Sequence, residues 1–123
     1  MNTLFLKRLA NEFIHSLSSE KGYSENTCLA YETDLRQFIS FLYGYLEISK
    51  DQKDQKEEEI QNSGKLNDIP ISEDQIDPLS IRGYLGSLYG GAKKSTVARK
   101  LSAVKSFFRY LVRQKVIEGS PAE

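Results

Sequence analysis

Lys93–Lys115, KKSTVARKLSAVKSFFRYLVRQK, holds eight Lys or Arg and no Asp or Glu, in a chain of 123 residues whose 17 bases and 17 acids cancel overall. An α-helix turns roughly 100° per residue. That rotation puts Val97, Leu101, Val104, Phe108, Leu111 and Val112 on one stripe and Ser95, Arg99, Ser102, Ser106, Arg109 and Arg113 on the opposite side. The stripe is a face for a core. The other side, arginines separated by small hydroxyl residues, suits a phosphate backbone or a major groove. A helix that only needed to be soluble would interleave charges of both signs in i, i+4 pairs, so the spacing predicts a DNA-reading helix held in place by the other segments.

Upstream, Gly90-Gly91 and then Ala92-Lys93-Lys94 read as a flexible basic turn, with Ser95 or Thr96 as a cap and Lys93 and Lys94 as a phosphate anchor at the helix start. The glycine pair ends a third helix that begins at Asp77-Pro78, an N-cap acid followed by proline at the first helical position. Leu79, Ile81, Tyr84, Leu85, Leu88 and Tyr89 are expected on its apolar side, with Gly83 and Gly86 permitting close packing. A second and longest helix starts after the Ser24 cap, with Cys28, Tyr31, Leu35, Phe38, Ile39, Leu42 and Leu46 on one stripe. A first helix is expected over residues 3–21 from Leu6, Leu9, Phe13, Ile14 and Leu17, with Gly22 as its stop. Leu4 and Phe5 lie partly off that stripe and are read as packing residues or as a contact to a neighbouring subunit. Past the fourth helix, which should run to about Lys115, Gly119-Ser120-Pro121 terminates it.

Between the second and third helices the character changes. Residues 49–77 hold nine acids against four lysines, a local charge of −5, which leaves the rest of the chain at +5 from thirteen bases and eight acids. Residues 49–75 contain only Ile60, Leu66, Ile69 and Ile71 as large apolar side chains, and read as an extended acidic loop that phosphate would repel.

The bulk composition, 39% hydrophobic and 28% charged, is that of one ordinary globular domain. No apolar run approaches the roughly 18 residues of a membrane span, and polar residues interrupt the Met1 segment as no signal peptide would allow. A cytoplasmic location is therefore expected, with no membrane partner. Cys28 is the single cysteine and His15 the single histidine, which excludes an internal disulfide and leaves no ligand set for a metal. There is no P-loop and no dinucleotide fingerprint. The tyrosines fit helical packing positions and none is marked as activated. The expectation is a non-enzyme with no cofactor and no small-molecule substrate. On the residues alone the basic helix reads as a nucleic-acid-binding surface, and a DNA-binding regulator and a helical protein-interaction module whose basic face meets an acidic partner both stay open.

Tyr23-Ser24-Glu25-Asn26-Thr27, then Ala30-Tyr31, Asp34-Leu35, Phe38 and Phe41-Leu42, resemble the second helix of the N-terminal core-binding domain of tyrosine recombinases of the Xer and phage integrase type. Ser95 to Leu111 is similar to that domain's fourth helix, and Ser120-Pro121-Ala122 to its exit. The resemblance covers the chain except residues 49–75. It implies an all-α, four-helix SAM-like bundle with a charged loop between helices two and three, the core-binding domain at 1–117, and the start of a linker at 118–123 leading to a catalytic domain absent here. It implies that this half of a C-shaped clamp grips double-stranded DNA at a recombination site, while the missing half carries the cleaving Tyr and its Arg, Lys and His helpers. By position it carries DNA contacts onto Lys94, Ser95, Thr96, Arg99, Lys100, Ser102, Lys105 and Arg109 of the fourth helix, and onto Thr27, Tyr31 and Arg36 of the second. Arg99 is the candidate for a guanine edge. Other recombinase protomers in a synaptic tetramer are implied partners through the first helix, which would give Leu4 and Phe5 a use. Glu32 and Thr33, just after Tyr31, depart from the basic residues of many relatives, and the acidic insert is longer than usual.

Overall fold

Four amphipathic segments each have one apolar face to bury, and packing the helices on one another is the arrangement that buries all four. The computed structural model describes residues 3–45 and 70–122. The helices are α1, Leu6–Ser19; α2, Glu25–Tyr45, where the first described stretch stops; α3, Pro78–Leu88; and α4, Lys94–Arg113. Leu46 and the acidic residues 49–69 lie outside the described residues. The all-α expectation holds, with the addition of a two-stranded antiparallel ribbon, β1 (Thr3–Phe5) and β2 (Pro70–Ser72).

That ribbon corrects two expectations. Leu4 and Phe5 do not extend α1. They form β1, where Leu4 pairs with Ile71; the Leu4 and Ile71 side chains are buried in the core and Phe5 is half-buried. Leu4 is thus unavailable to a neighbouring subunit. The second correction is that residues 70–75, expected as the end of a loop, form β2 and a 3-10 turn, Glu73–Gln75. Ser72 caps the turn, its Oγ accepting from the Asp74 N–H at 3.3 Å while its own N–H donates to Gln75 Oε1 at 2.9 Å. Residues 70–72 are thereby pinned beside the N-terminal strand.

Local chemistry explains the helix ends. Gly22 takes the left-handed conformation (φ +67°), and the Tyr23 N–H turns back to the Leu17 carbonyl at 3.0 Å, closing α1. Ser24 caps α2, accepting from the Thr27 N–H at 3.1 Å and donating to the Thr27 hydroxyl at 2.9 Å. Asp77 caps α3, its Oδ1 accepting from the Ser80 N–H at 3.0 Å, with Pro78 at the first helical position as expected. Leu79 and Tyr89 are not on the apolar side of α3. They are 62% and 68% exposed, because Leu79 lies two residues, about 200° of helix, from buried Ile81, and Tyr89 has already left the helix. Gly83 does allow close approach, since a Cβ there would stand 3.2 Å from the Tyr45 ring, whereas Gly86 has nothing within 4 Å.

At the end of α4 the Val116 N–H bonds to the Leu111 carbonyl and the Lys115 N–H to that of Val112, both at 2.9 Å, with Lys115 at φ +60°. This is a Schellman closure with lysine where glycine is favoured. The left-handed conformation costs a non-glycine residue about 1–2 kcal/mol, partly offset by glycine's greater freedom in the unfolded chain. Lys115→Gly is expected to stabilise the fold by about 0.5–1 kcal/mol, read as a rise in the urea midpoint at unchanged slope; a fall would mean that the lysine side chain matters more than its backbone. Beyond this closure the chain packs back on the domain. Ile117 is buried, Ala122 lies against the core, and the Glu118 N–H donates to Glu73 Oε2 at 3.2 Å.

Phe13, Phe38, Phe107 and Phe108 are fully buried at the centre. Phe13 meets Phe107 at 5.7 Å between ring centroids, and Phe38 meets Phe108 at 5.9 Å edge-on. Cys28 is buried with a reduced thiol.

Candidate nucleic-acid interface

The buried residues of α4 are Val97, Lys100, Ala103, Val104, Phe107, Phe108 and Leu111. Compared with the expected stripe, the helix is rotated by roughly 60° about its axis, so that Leu101 is half-exposed and Ala103 and Phe107 are inside. The outward face nevertheless keeps its predicted members. Ser95, Arg99, Ser102, Arg109 and Arg113 are exposed and Lys105 and Ser106 half-buried, with no acid on the helix. Helix α4 starts two to three residues earlier than a cap at Ser95 or Thr96 would place it. Lys93 occupies the N-cap position without a side-chain capping bond, so neither Ser95 nor Thr96 caps it, and Lys93 and Lys94 stand exposed beside the helix's first N–H groups.

The rotation has a cause on α2. Asp34 is fully buried, and its carboxylate receives both Arg99 and Lys100 from α4. Arg99 donates from Nε to Oδ2 and from Nη2 to Oδ1, each at 3.0 Å, and Lys100 Nζ donates to Oδ1 at 2.9 Å and also to Gln37 Oε1. The Asp34 carboxylate raises the Arg99 pKa above its ordinary value, first by the hydrogen bonds and then by its charge, with burial acting the other way. Two cations on one carboxylate leave the cluster with a net positive charge.

The expected contacts thus divide. Lys100 does not face outward. It is only 8% exposed and serves as an internal partner of Asp34. Arg99 keeps half of its side chain (48%) in solvent while its inner edge is held. Tyr31 is half-buried beside the α4 face; its pKa is raised chiefly by burial, then by Tyr23 and weakly by Asp34, with a hydrogen bond from Ser106 working against them. The Tyr23 ring meets that of Tyr31 edge-on at 6.2 Å. Thr27 is half-buried with its hydroxyl in the α2 cap. Arg36 is not brought to this face. It sits about 200° around α2 from Asp34 and pairs with Glu32 at 3.6 Å, and Glu32 lines a cleft with Asn11, Ile14 and His15 of α1. At the far end of α4, a cleft of about 550 Å³ has Phe13 and Leu17 among its walls and Lys21, Arg109 and Arg113 as its cations.

Sequence reasoning missed Asp34 and Gln37. The signal was present in part, since Asp34 is an acid on an otherwise apolar stripe, three residues after Tyr31 and four before Phe38. A buried carboxylate at such a position requires cationic partners. Among the described residues no helix is long and apolar enough to cross a membrane, and no group of His, Cys, Asp and Glu is arranged to hold a metal.

The chain is 33% identical over 107 residues to the tyrosine recombinase XerC of Pelobacter propionicus, covering 87% of this chain and 28% of that protein. It is 34% identical over 116 residues to the XerC of Listeria welshimeri (93% and 31%) and 32% identical over 122 residues to that of Leptospira interrogans (95% and 30%). The chain therefore spans about three-tenths of the length of the relatives it matches. No solved structure matches it. The family model described as phage integrase, N-terminal SAM-like domain matches residues 10–56 and 63–115, which take in most of α1 and all of α2, α3 and α4. With that match over most of its length and four helices packed as one bundle, the chain belongs to the phage integrase N-terminal SAM-like domain family.

Proposed function

We propose that this chain grips double-stranded DNA for a tyrosine recombinase, laying the outward face of α4 against the duplex at the recombination site. The observation that carries this reading is the α4 face itself, with Arg99, Arg109 and Arg113 spaced by hydroxyl residues and no acid on the helix. Lys93, Lys94, Ser95 and Thr96 at the helix start hold a phosphate, Ser102 and Lys105 extend the contact, and Tyr31 with Thr27 adds an edge from α2. Lys100 acts from inside the bundle and Arg36 lies off the face. The names of the relatives, tyrosine recombinases of which this chain matches three-tenths, support a non-catalytic share in strand exchange, so that none of the tyrosines here is the nucleophile. The compartment that follows is the cytoplasm. Contact with further recombinase protomers belongs to the same proposal and falls to outward residues of α1 such as Asn11, Glu12 and His15, since Leu4 is buried.

Binding to a duplex across a salt series tests this. Each phosphate neutralised releases counterions, so four to six contacts should weaken binding by about 10²–10³-fold between 50 and 200 mM salt. A flat response, or binding only to an acidic protein and to no duplex, would sink the reading.

A further inference from the structure

A guanidinium carries five N–H groups in a rigid fork. It can grip a two-oxygen partner side-on, through Nε–H and one Nη–H, or end-on, through one N–H of each Nη. Asp34 takes the side-on edge of Arg99, with both bonds at 3.0 Å. The end-on pair then points away from Asp34. Asp34 is fully buried and half of the Arg99 side chain lies in solvent, which leaves the end-on pair as the edge open to a ligand at the exposed face of α4. Among the described residues the end-on pair has no partner, since the Asp34 bonds are the hydrogen bonds of this side chain. Its two parallel N–H groups match the N7 and O6 acceptors of guanine in the major groove.

A free arginine reaches any nearby phosphate as readily as a base. A clasped one has its fork fixed in place and orientation before DNA arrives, which favours one acceptor pair over others. The carboxylate behind it would ordinarily weaken attraction for DNA. Two features of the site remove that cost. Asp34 has no exposed surface to meet a phosphate, and Lys100, bonded to the same Oδ1, restores a positive charge to the cluster.

We propose that Asp34 is the specificity-determining positioning residue of this domain: it holds Arg99 side-on so that the end-on fork reads a guanine, with Lys100 as the buried counter-charge. This rests on the reading of α4 as the DNA face.

The test uses this chain and a pool of duplexes randomised over about twelve base pairs, a little more than one helical turn, with the bound fraction sequenced. The unaltered chain should favour guanine at one position by about tenfold or more. Arg99→Lys keeps the charge and the Asp34 pairing but has no fork. It should lose that preference. Asp34→Asn/Lys100→Met replaces the buried pair by uncharged groups of similar shape, a change a fold tolerates, and leaves Arg99 without the two-oxygen partner that fixes its fork. It should lose the same preference at the same position with its helical circular dichroism intact, and Asp34→Asn alone should lose it too, at a cost in stability that the double variant recovers. A guanine preference that survives in either Asp34 variant, or in Arg99→Lys, overturns the proposal, as does binding by the unaltered chain with no guanine preference. Failure of the unaltered chain to bind any duplex at low salt instead removes the DNA reading on which the proposal rests.

Discussion

Asp34→Ala is expected to destabilise the fold by about 3–5 kcal/mol, the usual cost of leaving a buried charge without its partner. Against a total of about 5–15 kcal/mol for a domain, this is among the largest single losses the chain can suffer. The cost does not divide evenly between the two cations. Arg99 has half of its side chain in solvent and can turn outward to water, and pairs of that exposure are worth about 0–1 kcal/mol. Lys100 has no such exit, being 8% exposed with Gln37 as its one other hydrogen-bond partner among the described residues. The double variant Asp34→Ala/Lys100→Met should therefore recover most of the loss, and Lys100→Met alone should cost less than Asp34→Ala because Arg99 still satisfies both carboxylate oxygens. Urea midpoints for the three variants give the coupling directly. Equal losses in Asp34→Ala and the double variant would show that Lys100 is not where the penalty falls.

The same cluster shows where sequence periodicity stops being informative. Ser24 and Asp77 act through neighbours three residues away, so both caps and the four helices were legible from local spacing. The orientation of α4 was legible only to within about 60°. A stripe drawn through Val97, Leu101 and Val104 cannot foresee that a carboxylate 66 residues earlier draws Lys100 inward and turns Leu101 out. The β1–β2 ribbon was missed for a related reason. Three residues are too few to show a period of two, and the strands come together from opposite sides of the acidic insert. Of the candidate site, the α4 face was legible because a run without acids needs no knowledge of partners. The clasp was not, because its signal is one acid on a long stripe, and only the packed pair of helices shows what it binds.

Phe38→Ala is the counterpart in the apolar core, with an expected cost of about 3–5 kcal/mol. Phe38 is fully buried and stands one turn beyond Asp34 on α2. Its ring meets Tyr84 of α3 at 5.1 Å and Phe108 of α4 at 5.9 Å, both edge-on, so a single side chain joins three helices. Collapse cannot readily fill the space. The neighbouring Tyr84 is itself buried, its pKa pushed up to about 12 by burial and then by Asp34, and its hydroxyl has no hydrogen-bond partner among the described residues. In a domain of this size each kcal/mol moves Tm by about 4 °C, so a fall of about 12–20 °C is expected, against a much smaller one for Phe38→Leu, which keeps most of the volume. A comparable fall for both variants would place the contribution in the ring contacts instead of the filled space. The two large predictions also differ in kind. Phe38 and Asp34 tie α2 to α4 one turn apart, one by volume and the other by charge. Only the second presents a cation to the outside, so losing Phe38 should cost stability while leaving the guanine preference of the folded fraction intact, whereas losing the Asp34 clasp should remove that preference even where the fold survives.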